Sequence, residues 1–399
     1  AGPGPNAIVF APAVTGTILL TLGQLEISDD LDIFGPGAEV LTIHGNDASR
    51  VFLIDWAVNV EITGLTVAGG RASDASGAGI YSDGGNLTLR DAVVRDNTLL
   101  LSSTYYDGGA GVGIYGGALI LDNVAVYQNS VQADPGARGL GGGVYGDGAN
   151  VQISDSRIYS NTIAGSDESL GGGLYTRIST LHLLHSAVYS NTVQSNLGGG
   201  GGLFASNYAG RPVRIEASAI YSNTAGGDGG GLLVDGGGEG GGDPMGYVLV
   251  NTTLSGNAAA GHGGGFFVKA GQPWLNNVTV ANNQADSDGD DWGQGGGFYV
   301  DQGQATLQNS LVAGNLNLAL TDPAPDCGVN AALVVSNGHN LIGAADGCAW
   351  SAAAGDQVGS IASPIAPLLG SLADHGDATR THALLAGSPA IDAANPAAP

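Results

Sequence analysis

The 399-residue sequence predicts an all-β chain, wound as a right-handed parallel β-helix of about eleven or twelve coils with a C-terminal cap. Three observations predict it. A glycine-rich string, "GGGVYGDGANVQISDSRIYSNT" at 141–162, returns as "GGGLYTRISTLHLLHSAVYSNT" at 171–192 and as "GGGFYVDQGQATLQNS" from Gly295. An asparagine closes each unit, at Asn97, Asn129, Asn161, Asn191, Asn223, Asn257, Asn283 and Asn315, with spacings between 26 and 34 residues. Between these markers, short runs rich in Val, Ile, Leu, Thr and Tyr alternate apolar with polar residues, which is the period of a strand.

Such runs are too short for helices, and no helical crossover separates them. Three short strands per unit can bury their apolar side only if successive units stack on one another. At about 4.8 Å of rise per coil, the stack makes a rod on the order of 55 Å long with one continuous core. Gly accounts for 71 residues, a content that would suggest disorder if it were unpatterned. Here it falls at turn positions beside the alternating runs, so a folded solenoid is the better account.

The elements follow in order along one continuous structural domain. Residues 1–70 hold atypical first coils, with the alternation of "TILLTLGQLEISDDLDIF" and "NVEITGLTVAGG" but no Gly-Gly-Gly string. Residues 71–318 are the Gly-rich repeats. Their Gly and Asn columns fit turns that demand left-handed or otherwise restricted backbone, and stacked Asn amides can bond along the axis. After Asn315 the pattern changes to "DCGVNAALVVSNGHNLIGAADGCAW" and then to Ala- and Pro-rich sequence, so residues 319–399 read as cap and exit tail.

An aromatic column runs through the repeats at Tyr81, Tyr115, Tyr145, Tyr175, Phe204, Phe267 and Tyr299, with Leu233 in its one aliphatic place. The residue before each is apolar. Neighbouring strand positions face opposite sides, so one column lines the interior while the other faces out. A second aromatic set stands at Tyr127, Tyr159, Tyr189 and Tyr221. Flat rings in a row can bind a repeating glycan, or can stack only on each other because successive coils offer like environments.

The net charge of −25, from 36 acidic and 11 basic residues with Lys269 the sole lysine, excludes binding to nucleic acid and to anionic membranes. Much of the acid falls in loops between the Asn column and the next glycines, at Asp107, Asp134, Asp167, Glu168, Asp228 and Asp286. The sharpest metal candidate is "DSDGDDW", where Asp286, Asp288, Asp290 and Asp291 offer hard oxygen ligands around a Gly turn, as Ca²⁺ prefers. The distal Glu of an EF-hand is missing, and a solvated acidic loop is the competing account.

Only two cysteines occur, Cys327 and Cys348. In one turn-rich segment they suggest a disulfide, worth about 3 kcal/mol in an oxidising compartment; two buried thiols are the alternative. No apolar run reaches the length of a membrane span. The chain opens at Ala1 and its only methionine is Met245, so a mature product without its leader is expected. Sequons at Asn86, Asn251 and Asn277 are glycan acceptors only where the source glycosylates.

Catalysis has thin support. A pectin-hydrolase pattern needs converging carboxylates, a Gly-His-Gly and an Arg-x-Lys in fixed order. Gly261, His262 and Gly263 supply the second, but Asp290 and Asp291 follow rather than precede it, and no Arg-x-Lys exists. A lyase needs a Lys or Arg base among charge-neutralising cations, which one lysine and scattered arginines serve poorly. His182 and His185 fall on opposite faces of their strand, which argues against a metal pair.

The opening "GTILLTLGQLEISDDLDIFGPGAEVLTIHGNDASRVF", then "VEITGLTVAGG" and the Gly-Gly-Gly-x-Tyr and Asn-Thr repeats, resembles the right-handed β-helix repeat proteins of bacterial surfaces, including the polymorphic outer membrane protein type. The ending, with "DCG", "SNGHNLIG", "GCAW" and "PLLGSLADHGDATRTHALLAGSPAIDA", is similar to the choice-of-anchor Q domain; it departs from it in "ADHGDAT" at 373–379 and in having no anchor after Pro399. The resemblance implies a secreted, surface-attached protein. The resulting expectation is an extracellular structural or adhesive β-helix that binds surface glycans or its own copies head to tail, as in a fibre. A polysaccharide-active lyase or hydrolase is the alternative.

Overall fold

The computed structural model describes residues 6–102, 107–165, 168–206, 210–236, 246–319 and 325–395. Asp167, Met245 and the first five residues of the Gly-Pro lead lie outside the described residues. The fold is a parallel β-solenoid of about ten turns, with no helix among the described residues. The central coils carry four strands rather than three. In one coil they are Ile80–Asp83, Asn86–Arg90, Val93–Arg95 and Thr98–Leu101. The first two belong to a bent 21-stranded sheet, the third to a 13-stranded sheet and the fourth to a 9-stranded sheet.

The count of turns falls below the expected eleven or twelve because the end passes are incomplete. Gly16–Leu19 and Gln357–Val358 join the 13-stranded sheet, whereas the 9-stranded sheet runs only from Arg71–Ser73 to Leu316–Asn317.

Register is one residue to one residue over most of the stack. Leu87 pairs with Leu119, Leu119 with Val151, Val151 with Leu181 and Leu181 with Val213, and all are fully or nearly fully buried. A slip by one would turn this apolar row to solvent, so the alternation itself fixes the pairing. The row belongs to one core cluster that extends from Ile27 to Cys348. At its far end Cys348 bonds Cys327, 21 residues earlier with Cα atoms 5.3 Å apart, and both sulfurs are buried in that core.

The asparagines form an axial ladder. In the middle of it, Asn191 donates from both its backbone N and its Nδ2 to Asn223 Oδ1, each at 3.0 Å, and from Nδ2 to Ile158 O at 2.9 Å. The same pattern runs from Asn97 to Asn315, and every member is 4% exposed or less. The left-handed residue of the turn is not the asparagine but its predecessor: Asp96, Gln128, Ser160, Ser190, Ser222, Gly256, Asn282 and Gly314 all have φ between 53° and 74°. That kink brings each amide under the next coil.

The glycine string divides its labour between positions. The first, as in Gly141 and Gly171, takes φ of 56° and 70°. The third lies flat on a ladder amide, where a Cβ on Gly143 would stand 2.8 Å from Asn161 Nδ2. Buried serines make a second axial row in which Ser156 N donates to Ser186 Oγ and Ser186 N to Ser218 Oγ, each at 3.1 Å.

Candidate functional site

The first strands of the coils turn their second and fourth residues away from the main core, and loops fold over them. The aromatic column therefore lies outside the main core yet is buried. Tyr145, Tyr175, Phe204, Leu233, Phe267 and Tyr299 form a cluster of their own. Tyr145 stacks on Tyr175 with centroids 5.4 Å apart, and Tyr175 on Phe204 at 4.9 Å. Because the rings spend their faces on each other, the column presents no face to a sugar.

Tyr115 does not belong to this column. Tyr81 pairs with Gly113, and Gly113 with Tyr145, while Tyr115 pairs with Asp83 and Asp147 and is half exposed. "GGAGVGIYGG" offers two overlapping Gly-x-Gly frames, and the strand starts at Val112 rather than Ile114. Space decides between them: a Cβ on Gly113 would lie 2.8 Å from Gly77 N.

Beside the column runs a groove of about 520 Å³, floored by edges of Tyr175, Phe204 and Phe267 and crossing successive coils from Arg138 to Lys269. Three carboxylates, Glu168, Asp228 and Asp235, line it with three cations, Arg138, Arg177 and Lys269. They are largely paired. Arg138 meets Glu168, Lys269 Nζ lies 3.2 Å from Asp235 Oδ2, and Arg177 Nη2 lies 2.6 Å from Asp147 Oδ2. The lining thus carries acids and bases in equal number, three of each, on a molecule of net charge −25.

At the end of the groove His262 closes the aromatic column. Its ring stacks on Tyr299 at 4.4 Å and meets Trp292 at 4.8 Å, and its backbone N donates to Asp228 Oδ1 at 2.8 Å. Burial pushes the Asp228 carboxyl up from its ordinary value and pushes the His262 imidazole down. His262 Nδ1 is buried with no hydrogen-bond partner among the described residues. The sequence singled out His262 only as a loop histidine; the pairing with Asp228, 34 residues earlier, depends on coil register.

Asp286, Asp288 and Asp290 bring one oxygen each to within 4.8 Å of one another. Asp291 stands apart from that group, and its backbone N donates to Asp286 Oδ1 at 3.1 Å. The structure does not join His182 and His185. His182 Nε2 faces Glu216 Oε2 at 3.2 Å, and His185 sits in a left-handed turn, 3.8 Å from Asp155.

The second aromatic set forms a ladder on the 13-stranded sheet. Tyr127, Tyr159, Tyr189 and Tyr221 stack at 4.7 to 4.8 Å with interplanar angles of 12° or less. Arg380 covers the last ring at 5.7 Å. It arrives on an antiparallel hairpin, Leu369–Ala373 with Thr381–Leu384, that folds back along the rod. His382 Nε2 lies 2.9 Å from Ser255 Oγ, and Thr379 Oγ1 donates to Ala217 O at 3.3 Å. Nothing in the local pattern of residues 369–384 marks this return.

The asparagine ladder also has a terminus that the sequence did not betray. Asn315 donates from N and Nδ2 to Asp326 Oδ1 at 3.1 and 2.9 Å, and Ala344 N donates to Asp326 Oδ2 at 2.7 Å. Asp326 occupies the next ladder place although it follows Asn315 by only 11 residues. Its carboxyl is pushed up by burial, against the pull of those donors.

Comparison with protein-family models, with characterised proteins and with solved structures finds no match. The likeness to β-helix repeat proteins of bacterial surfaces and to the choice-of-anchor Q domain therefore rests on the residues themselves.

Proposed function

We propose that the chain is a secreted, surface-attached β-helix of structural or adhesive role, whose groove binds an extended neutral saccharide without cleaving it. The groove carries this reading. It is open, crosses successive coils at a spacing close to one pyranose unit, and pairs acids with bases so that hydroxyl donors and acceptors meet partners of both kinds. An acidic polymer would meet the field of a molecule of charge −25. Secretion is supported by the disulfide, which suits an oxidising compartment, and by the resemblance of the repeats. No helix among the described residues is long and apolar enough to cross a membrane.

Self-association is a second role in the same reading. Among the described residues, Asn6–Val9 pairs on one side only, with Leu31–Phe34, and exposes Ile8 and Val9. Such an edge accepts another strand.

A polysaccharide-active enzyme remains the alternative, favoured by one observation: Asp228, a carboxyl raised by burial, stands in the groove as a general acid would. An array of neutral and acidic polysaccharides tests both. Binding confined to neutral polymers is expected, weakened about tenfold in Arg138→Ala/Lys269→Ala by loss of charge-assisted hydrogen bonds. Equal binding by that variant would remove the groove from the account.

A further inference from the structure

We propose that Asp286, Asp288 and Asp290 hold a divalent cation of the calcium class, which fixes the Trp292 loop against the His262 end of the groove. The site does not depend on what the groove binds. One oxygen of each carboxylate lies within 4.8 Å of the others. Two oxygens bound to one Ca²⁺ at about 2.4 Å each can be at most about 4.8 Å apart, so the cluster is within the reach of a single ion.

A cluster of acids alone would signify little on so acidic a surface. Asp286 is different, because its residue exposure is 0%. Its Oδ1 accepts the Asp291 backbone N–H, while its Oδ2 is buried and has no hydrogen-bond partner among the described residues. No Lys, Arg or His forms an ion pair with Asp286, Asp288 or Asp290 among those residues either. A buried, unpaired carboxylate oxygen is costly, and a cation shared with two neighbouring carboxylates removes that cost. Hard oxygen donors of full negative charge select Ca²⁺ over softer transition metals, with water free to fill the outer positions beside exposed Asp288 and Asp290.

The loop carries its own reporter. Trp292 follows Asp290 by two residues, donates its backbone N to Asp290 Oδ1 at 3.1 Å, and lays its ring against His262. Terbium, a calcium-sized lanthanide that accepts energy from a nearby indole, reads the site directly. The expected result is saturable terbium luminescence from the wild-type chain at physiological ionic strength, displaced by CaCl₂. Trp292→Phe should lose most of the luminescence while equilibrium dialysis still finds its bound calcium. Asp286→Asn should weaken calcium at least as much as the ~10- to 100-fold that changes around ligands cost. Should that variant fail to fold, Asp288→Asn/Asp290→Asn, confined to exposed side chains, is expected to weaken calcium in the same range. Wild-type protein that binds no calcium in dialysis, or variants that bind it as tightly as wild type, would overturn the assignment.

Discussion

The carboxamide of Asn191 lies against the backbone of Gly173, so closely that a Cβ added to Gly173 would stand 2.7 Å from Asn191 Nδ2. This contact explains why the third glycine of the string and the closing asparagine recur together. Contacts under 3.0 Å demand a shift of one partner, and here the partner is already tied by hydrogen bonds to two coils.

The first prediction concerns that pair. Asn191→Ala leaves buried ladder groups unpaired and should cost about 1 to 3 kcal/mol. Gly173→Ala should also destabilise, and the double variant should cost less than the sum, because one change removes what the other clashes with. Gln152→Ala, an exposed change in the same strand system, should stay within about 0.5 kcal/mol. Denaturant unfolding of the four variants decides it; an Asn191 effect as small as that of Gln152 would dismantle the ladder.

A second prediction follows from Asp326. Its folded carboxyl is raised by burial, so the folded state holds a proton that the unfolded chain releases more readily. Ionised Asp326 thus subtracts stability at neutral pH, and the loss is relieved as pH falls through the folded value toward the ordinary carboxylate value of about 3.9. Melting of wild type relative to Asp326→Asn should accordingly improve from pH 7 down to that range. A difference that is flat, or that worsens on acidification, contradicts the buried ladder terminus.

For the disulfide, the bridge spans 21 residues and both of its cysteines belong to the main core. Reduction, or Cys327→Ser with Cys348→Ser, should cost about 3 kcal/mol. Melting with and without reductant measures this, and the double variant should show no further response to reductant.

Self-association makes a fourth test. If the exposed edge of Asn6–Val9 recruits other copies, light scattering should show concentration-dependent growth that Val9→Lys suppresses, since a charge on an open edge blocks pairing. A monomer at all concentrations, before and after the change, removes the head-to-tail role.

Much of the fold was legible because each coil repeats the same physical problem. The alternation "NVQIS" and "TLHLL" gives the strands their buried side, and the ladder asparagines and glycine columns announce the turns. What escaped depends on register or on distance. Tyr115 was misplaced because glycine spacing alone cannot choose between two frames, whereas the gap beside Gly77 can. Asp326 replaces an asparagine out of period, and the hairpin bearing Arg380 meets Tyr221 only through a return of the chain. The groove is the clearest case: Arg138, Asp228 and Lys269 lie far apart in sequence and converge only because the coils stack.

Binding without cleavage is the central claim for that groove. Its most direct test is to mix the protein with the neutral polysaccharide it captures best and follow the polymer by size-exclusion chromatography with light scattering. The polymer should co-elute with the protein at unchanged chain length, with no new reducing ends. Shortening of the polymer that disappears in Asp228→Asn, or failure to retain any neutral polymer, would contradict the account.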